Sequence, residues 1–419
     1  MRVHTLSITD FRNYSAAEIT LGAGVTIFLG SNGQGKTNIV EAIHYLSSLS
    51  SHRISHDAAL IKKGSDQGII RAEVVADQRS ILMELELNRN RANRAQVNQN
   101  AAKIRDFPRY FSTVLFAPED LQLVRGEPEL RRNFIDDLIV AFTPRLAGTL
   151  ADYDRVIKQR NSLLKSLRSL GNKKVDTSTL SIWDEKLVAL ATEIVLAREA
   201  IVSKLSAPLV ANYQGIAGVN QSPVIRQRLS VEIEQLNGLA YANNLAAAIA
   251  ASRDAEIERG ASLFGPHRDD LEFELNDLPT KGFASHGETW SFILALKLAS
   301  AELLKAESPL GDPVIILDDV FADLDVAHAQ GAGHGEELGG RVARGQDVAE
   351  GKAHGDFSCI DGWWGCSAAG PPQGGTRPLG GAATRAAAER GGSGVQRWAG
   401  GQLDRNRLAI ALLRLDAGV

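Results

Sequence analysis

Alternating apolar and polar positions at Val3-His4-Thr5-Leu6-Ser7-Ile8 predict a strand with one buried face, and Asp10-Phe11-Arg12-Asn13-Tyr14 after it reads as a turn. A second apolar run, Val25-Thr26-Ile27-Phe28-Leu29, stops at a glycine-rich turn. Ile39, Val40, Ile43 and Leu46 then recur at helical spacing, which gives strand, loop, helix. Further strands are predicted over residues 69–75 and 81–87. Between Asn88 and Arg105 there are five basic residues and no acidic one, with asparagines at both ends, which predicts a hairpin with a basic rim.

The period then changes. Leu146, Leu150, Tyr153, Ile157, Leu164 and Leu167 form one helical stripe in which Arg160 occupies the missing slot. After a turn at Gly171-Asn172, a second helix is expected to start at Ser181 with a capping box to Asp184. Its stripe is Trp183, Leu187, Leu190, Ile194, Ala197 and Ile201, and Pro208 is expected to end it. Two helices of about 26 residues, roughly 40 Å long, joined by a short polar turn, read as an antiparallel hairpin. Two ordinary helices in a compact bundle fit the same spacing. Beyond Pro266 the pattern returns to a strand over 271–275, a helix over 289–305 and the continuous run Val314-Ile315-Ile316-Leu317. Such a β-branched run is expected of a parallel strand covered on both faces.

Composition splits the chain in two. Of 39 glycines, 21 lie beyond Ala327, as do both cysteines and three of the five tryptophans. The tail is poor in aliphatic residues and aperiodic, so a region without regular structure is expected there. The first 327 residues contain no cysteine, which points to a reducing compartment. No apolar run is long enough to cross a membrane, and the N-terminus has no signal-peptide pattern, so a cytoplasmic protein is expected. The 46 basic and 50 acidic residues give no global basic field.

Gly30, Ser31, Asn32, Gly33, Gln34, Gly35, Lys36 and Thr37 fit G-x-x-x-x-G-K-S/T, the phosphate-binding loop. Its glycines let the backbone N–H groups turn toward phosphate oxygens. Lys36 supplies a positive charge at the β- and γ-phosphates of ATP, and the Thr37 hydroxyl is a ligand for Mg²⁺. Asp318, at the end of the buried strand, is the candidate second Mg²⁺ partner, and Asp319 is placed to polarise an attacking water. Lys36 and Asp318 are 282 residues apart, so the chain between them must leave the nucleotide core and return. That spacing argues against a small-molecule kinase.

Several further blocks carry a family likeness. They are Asp10-Phe11-Arg12-Asn13-Tyr14, Phe116-Ala117-Pro118-Glu119-Asp120-Leu121, Arg131-Arg132-Asn133-Phe134-Ile135-Asp136, and Tyr153 with Gln159-Arg160-Asn161. Gly265-Pro266-His267-Arg268-Asp269-Asp270-Leu271 is the most distinctive, and Ser285-His286-Gly287-Glu288 looks like an ABC signature. With the phosphate loop, these resemble the RecF family of DNA-repair ATPases, within the SMC and ABC group, over roughly residues 1–327. The Gly265–Leu271 block is unlike a transporter subunit.

The resemblance implies an α/β fold: a P-loop ABC-type ATPase core interrupted by an all-α antiparallel helical lid or arm. It implies an N-terminal lobe over 1–126, the lid over 127–255, a C-terminal lobe over 256–327 and a foreign tail over 328–419. It further implies a slow ATPase using ATP and Mg²⁺, in which an ATP-dependent homodimer sandwiches two nucleotides. Ser285 and the Gly287 backbone would meet the γ-phosphate bound at the partner's loop, and Asp325 would fill the D-loop that couples the sites. The implied partners are single- and double-stranded DNA, especially gapped junctions, and the mediator proteins RecO and RecR. The implied setting is DNA replication, recombinational repair and the SOS response. Candidate DNA-phosphate contacts are the 89–105 rim, Arg131, Arg132, Lys158, Arg160, Lys165 and Arg168, with a merely solvated face as the competing reading. His267 and Arg268 are either functional or a brace between lid and core. The tail departs from the family pattern, and a shift of reading frame near codon 327 is the expected cause. If so, another frame downstream should encode a strand-like apolar run. The alternative functions are an inactive or non-enzymatic scaffold, because the C-terminal part of the core is replaced, or another ABC/SMC-type P-loop ATPase.

Overall fold

The computed structural model describes residues 1–31, 33–54, 56–76, 79–170, 178–219, 221–307 and 311–318, with strand segments at 337–338, 341–344, 359–360 and 407–414. The N-terminal lobe opens with β1 (Arg2–Phe11) and β2 (Tyr14–Thr20), an antiparallel hairpin. β3 (Thr26–Ser31) leads into α1 (Lys36–Ser48). β4 (Gln67–Ala76), β5 (Arg79–Asn88), β6 (Arg94–Val97) and β7 (Asn100–Ala102) follow, and β8 (Thr113–Phe116) closes the lobe. Six strands form one antiparallel sheet in the order β2-β1-β4-β5-β6-β7. Val3, Leu6 and Ile8 of β1 all point inward although Val3 and Leu6 differ in parity. A register shift between Val3 and Thr5 makes this possible, because one extra residue resets the alternation. The expected basic hairpin is the β6–β7 pair, turned at Asn98 and Gln99, both with positive φ, as a two-residue hairpin requires.

α2 (Gln122–Arg125), α3 (Pro128–Phe142), α4 (Leu146–Leu170) and α5 (Ser178–Ala217) build the helical part, with β9 (Val224–Arg228), α6 (Gly238–Ala251) and α7 (Arg253–Arg259). α4 carries the predicted stripe. Tyr153, Val156, Leu164 and Leu167 are buried, and so is Arg160 in the apparent gap. α5 departs from expectation at both ends. Ser181 lies inside it, and Asp184 caps nothing, because it accepts bonds from Arg160 and Arg253. Pro208 lies within the helix instead of ending it. Proline removes one backbone hydrogen bond, but Leu205, Leu209 and Tyr213 on either side are fully buried and hold the axis together. The segment expected to be all-α also contains β9, which pairs with β10 (Asp270–Leu275). Two proposed DNA contacts are excluded by burial: Arg160 is 0% and Arg131 5% exposed.

After β10 come β11 (Leu278–Pro279), α8 (Thr280–Phe283), the long α9 (His286–Glu307) and β12 (Val314–Leu317). α9 begins three residues before the expected Thr289. β12 is buried throughout and parallel to β8. The tail was expected to contribute no regular structure, yet it supplies β13 (Glu337–Leu338), β14 (Arg341–Arg344), β15 (Cys359–Ile360) and β16 (Arg407–Arg414). Two of these join the second sheet, ordered β14-β3-β16-β12-β8. β16 lies antiparallel to both β3 and β12, so those two strands run in the same direction. Their C-terminal ends therefore share one edge, where the phosphate loop and Asp318 meet. Among the described residues, no helix is long and apolar enough to cross a membrane.

Candidate nucleotide site

The loop after β3 turns through left-handed glycines at Gly33 (φ 82°) and Gly35 (φ 95°). At φ 95° any side chain on Gly35 would be strained, and a Cβ there would lie 2.7 Å from Tyr14 Oη and 2.8 Å from Asn13 Nδ2, so both side chains would have to shift. Tyr14 Oη donates to the Gln34 carbonyl at 3.3 Å, and Asn38 Nδ2 donates to Asn13 Oδ1 at 2.7 Å. Burial pushes the Tyr14 phenol up to about 12, which keeps it a neutral donor. The β1–β2 turn is thus a buttress for the phosphate loop. Its sequence marked family likeness but gave no role for these residues, because the contact crosses between distant segments.

Lys36 begins α1 and is 6% exposed; Thr37 follows. Thr37 Oγ1 donates to Asp318 Oδ1 at 3.4 Å, across 281 residues of sequence. Asp318 is 2% exposed, and its backbone N–H donates to the Phe116 carbonyl of β8 at 2.8 Å. The two predicted Mg²⁺ ligands are therefore neighbours. Their separation is close to the ~3 Å between adjacent ligands of an octahedral ion with bonds near 2.1 Å. Among the described residues, no group of three or more His, Cys, Asp or Glu side chains could hold a metal. One carboxylate and one hydroxyl suit an ion whose remaining ligands are phosphate and water. Gly30 and Ser31 close β3, whereas Asn32, Asp319 and Asp325 lie outside the described residues.

Beside the loop is a cleft of about 730 Å³ lined by Arg12, Asn13, Asn38, Arg53, Lys63 and Arg89. Arg12 grips Glu41 with two bonds, 2.8 and 2.5 Å, and Ser51 Oγ donates to the same carboxylate at 2.5 Å. Burial works to raise the Glu41 carboxyl, but these bonds and the Arg12 charge outweigh it and hold it below its ordinary value. Arg53, Lys63 and Arg89 leave the wall of the cleft net cationic even with Arg12 paired to Glu41.

The segment expected to be the signature, Ser285–Glu288, lies at the start of α9. The Ser285 N–H donates to Glu288 Oε2 at 2.8 Å and the Glu288 N–H donates to Ser285 Oγ at 3.2 Å, a reciprocal cap. Ser285, His286 and Gly287 are exposed at the N-terminus of α9, the end of a helix that favours an anion. Arg125 Nη2 donates to His286 Nδ1 at 2.7 Å, and Lys281 Nζ donates to the Gly126 carbonyl at 3.1 Å. Trp290 packs edge-to-face on Phe116, with ring centroids 4.6 Å apart, fixing α9 against β8.

The Gly265–Leu271 block is tied to α3, α4 and α5. Arg131 makes two bonds to Asp270 and also donates to the Leu123 and Gly126 carbonyls. Arg198 holds Asp136 with two 2.8 Å bonds and donates to the Pro266 carbonyl. Arg268 donates twice to the Ser262 carbonyl. Gly265 has φ 120°, and a Cβ there would strike Tyr153 Oη at 2.6 Å. His267 Nε2 meets the Ser262 carbonyl at 3.3 Å and so carries the proton, leaving Nδ1 to accept from Tyr153 Oη at 2.7 Å. Burial pushes the imidazole down to about 4, helped by nearby Arg268, Arg132 and Arg160 against the Ser262 bond.

A pH dependence follows. Below pH 6.5 the unfolded chain takes up a proton that native His267 refuses, so acidification destabilises the fold until about pH 4. The expected contribution is on the order of 3 kcal/mol. Urea unfolding at pH 7 and pH 4.5 should show a smaller loss for His267→Gln than for the wild type; equal losses would remove His267 from the account.

The strand–loop–helix at Lys36, the Asp318 carboxylate at the end of a second strand running the same way as β3 and the capped helix α9 define an ABC ATPase fold of the RecF and SMC type. A family model described as the RecF/RecN/SMC N-terminal domain matches residues 2–334. The DNA replication and repair protein RecF of Leifsonia xyli subsp. xyli is 52% identical over 340 residues, covering 78% of this chain and 88% of that one. The protein of the same name from Streptomyces avermitilis is 46% identical over 352 residues, covering 83% and 92%. The solved structure of the recombination mediator protein RecF-ATP in the RecFOR pathway has a TM-score of 0.71 at 27% identity, covering 78% of this chain and 87% of that one. The chain belongs to the RecF family.

Proposed function

We propose that the chain is an ATP-dependent DNA-binding protein of DNA replication and recombinational repair, a slow ATPase that closes as a dimer over DNA when ATP binds. The observation that carries this reading is the 3.4 Å approach of Thr37 to Asp318, which assembles a nucleotide site from two distant segments. Lys36 and the loop N–H groups hold the β- and γ-phosphates, and Thr37 and Asp318 hold Mg²⁺. Mg²⁺ held by these two side chains would neutralise charge that develops on the phosphates. Asp319 orients the attacking water. Ser285 and the Gly287 N–H, exposed on α9, bind the γ-phosphate held by a second copy, and Asp325 couples the two sites. The names of the relatives above support a role in DNA replication and repair within the RecFOR pathway; gapped DNA as substrate, RecO and RecR as partners, a part in the SOS response and a cytoplasmic setting complete the proposal.

The switch is tested by retention on gapped duplex DNA at fixed salt. ATP is expected to raise retention roughly tenfold or more over the nucleotide-free protein, the scale of a strong coupling between two ligands. Equal retention in both states would leave the scaffold reading. The family match ends at residue 334, close to the compositional break, which supports a frame shift near codon 327. Translating the other two frames downstream checks it: absence of a strand-like run within about 30 codons would end that explanation.

A further inference from the structure

The helical arm reaches the signature through one polar chain. Tyr213, near the end of α5, is fully buried and packs on Phe292 of α9 with ring centroids 6.5 Å apart. Its hydroxyl donates to Gln221 Oε1. Gln221 Nε2 donates to Glu288 Oε1 at 2.8 Å, and the other carboxylate oxygen accepts the Ser285 N–H at 2.8 Å. The donor inventory fixes every direction in this chain. A tyrosine must donate to the amide oxygen, and only the amide nitrogen can donate to a carboxylate. The Gln221 backbone is held as well, because its carbonyl accepts from the Asn276 N–H at the end of β10. Bonds from Ser285 and then Gln221 hold the Glu288 carboxyl below its ordinary value.

A helix cap of this kind needs only Ser285 and Glu288. Gln221 precedes Glu288 by 67 residues and belongs to neither partner's helix. Its effect is to select the Glu288 rotamer that keeps Oε2 on the Ser285 N–H. It also makes that rotamer depend on where α5 ends. We propose that Gln221 is a positioning residue that ties the helical arm to the signature, so that movement of the arm shifts the Ser285 hydroxyl. This rests on the dimer reading above, in which Ser285 meets a nucleotide held by a second copy. DNA that displaces the arm would thereby alter the closed dimer without touching either phosphate loop.

The test uses the full chain and three variants: Gln221→Glu, Glu288→Gln and the two combined. Gln221→Glu sets two carboxylates face to face and should weaken ATP-dependent dimerisation roughly tenfold, read by sedimentation. ATP affinity, set at the Lys36 loop, should not move, and the melting temperature without ATP serves as the folding control. The double variant restores every bond. The amide now at 288 donates to the carboxylate at 221 and accepts from Ser285, while Tyr213 still donates. Dimerisation should return to within about twofold of wild type. A double variant no better than Gln221→Glu, or a Gln221→Glu chain that dimerises like wild type, overturns the inference alone. A wild-type chain that stays monomeric with ATP overturns the dimer reading and the inference together.

Discussion

Lys36→Ala is expected to weaken ATP binding and hydrolysis by roughly two to three orders of magnitude, the range seen when one preorganised charged donor is removed from a phosphoryl or oxyanion site. The fold should survive. Lys36 is the first residue of α1, where the helix dipole favours anions and a cation is unfavourable by about 0.3–1 kcal/mol. That cost offsets part of whatever stability the side chain contributes, so the nucleotide-free chain is expected to remain folded. Calorimetric titration with Mg-ATP, alongside thermal melting without it, measures both halves of the expectation. Undiminished ATP binding with the alanine in place would mean that the loop around Gly35 is not the phosphate site. ATP-dependent retention on DNA should disappear together with the binding.

Contiguity decided what could be read without coordinates. The loop from Gly30 to Thr37 is one unbroken segment, and Asp318 follows a run whose burial is evident from its residues, so both were legible. Asn13 and Tyr14 were visible only as family markers, because the reason for them is the space above Gly35, a contact between β1–β2 and the loop. Pro208 reads as a terminator on local grounds, and tertiary burial of Leu205, Leu209 and Tyr213 overrides that propensity. The high glycine content of the tail is an average over 92 residues and hides the short apolar run that becomes β16. Gln221 had no signal at all. An isolated glutamine in a connecting segment acquires its meaning from two partners that sequence keeps apart.

Arg160→Met is expected to destabilise the chain by about 3–5 kcal/mol, the cost of leaving a buried charge without its counterpart. The side chain is 0% exposed and donates to Asp184 Oδ1 at 2.7 Å, to Ser262 Oγ at 2.7 Å and to Glu256 Oε2 at 2.5 Å. Burial alone works against the guanidinium charge, but Glu256 and Asp184 outweigh it and raise the pKa above its ordinary value. Glu256 is also 0% exposed, and its second oxygen accepts the Leu263 N–H at 2.9 Å, so it has nowhere to turn when the arginine is removed. Glu256→Gln keeps an acceptor for Arg160 and should cost less, about 1–3 kcal/mol. Combining Arg160→Met with Glu256→Met removes both charges and should recover part of the loss, because an ion pair replaced as a unit costs less than one broken in half. Urea midpoints of the three variants measure this order. The same residue separates two accounts of the arm. As a solvated cation on a DNA-binding face, Arg160 would change stability by less than about 0.5 kcal/mol and its loss would lower the salt dependence of DNA affinity. As the buried knot joining α4, α5 and α7, it should do the reverse: a large loss of stability, and an unchanged salt slope in whatever fraction remains folded.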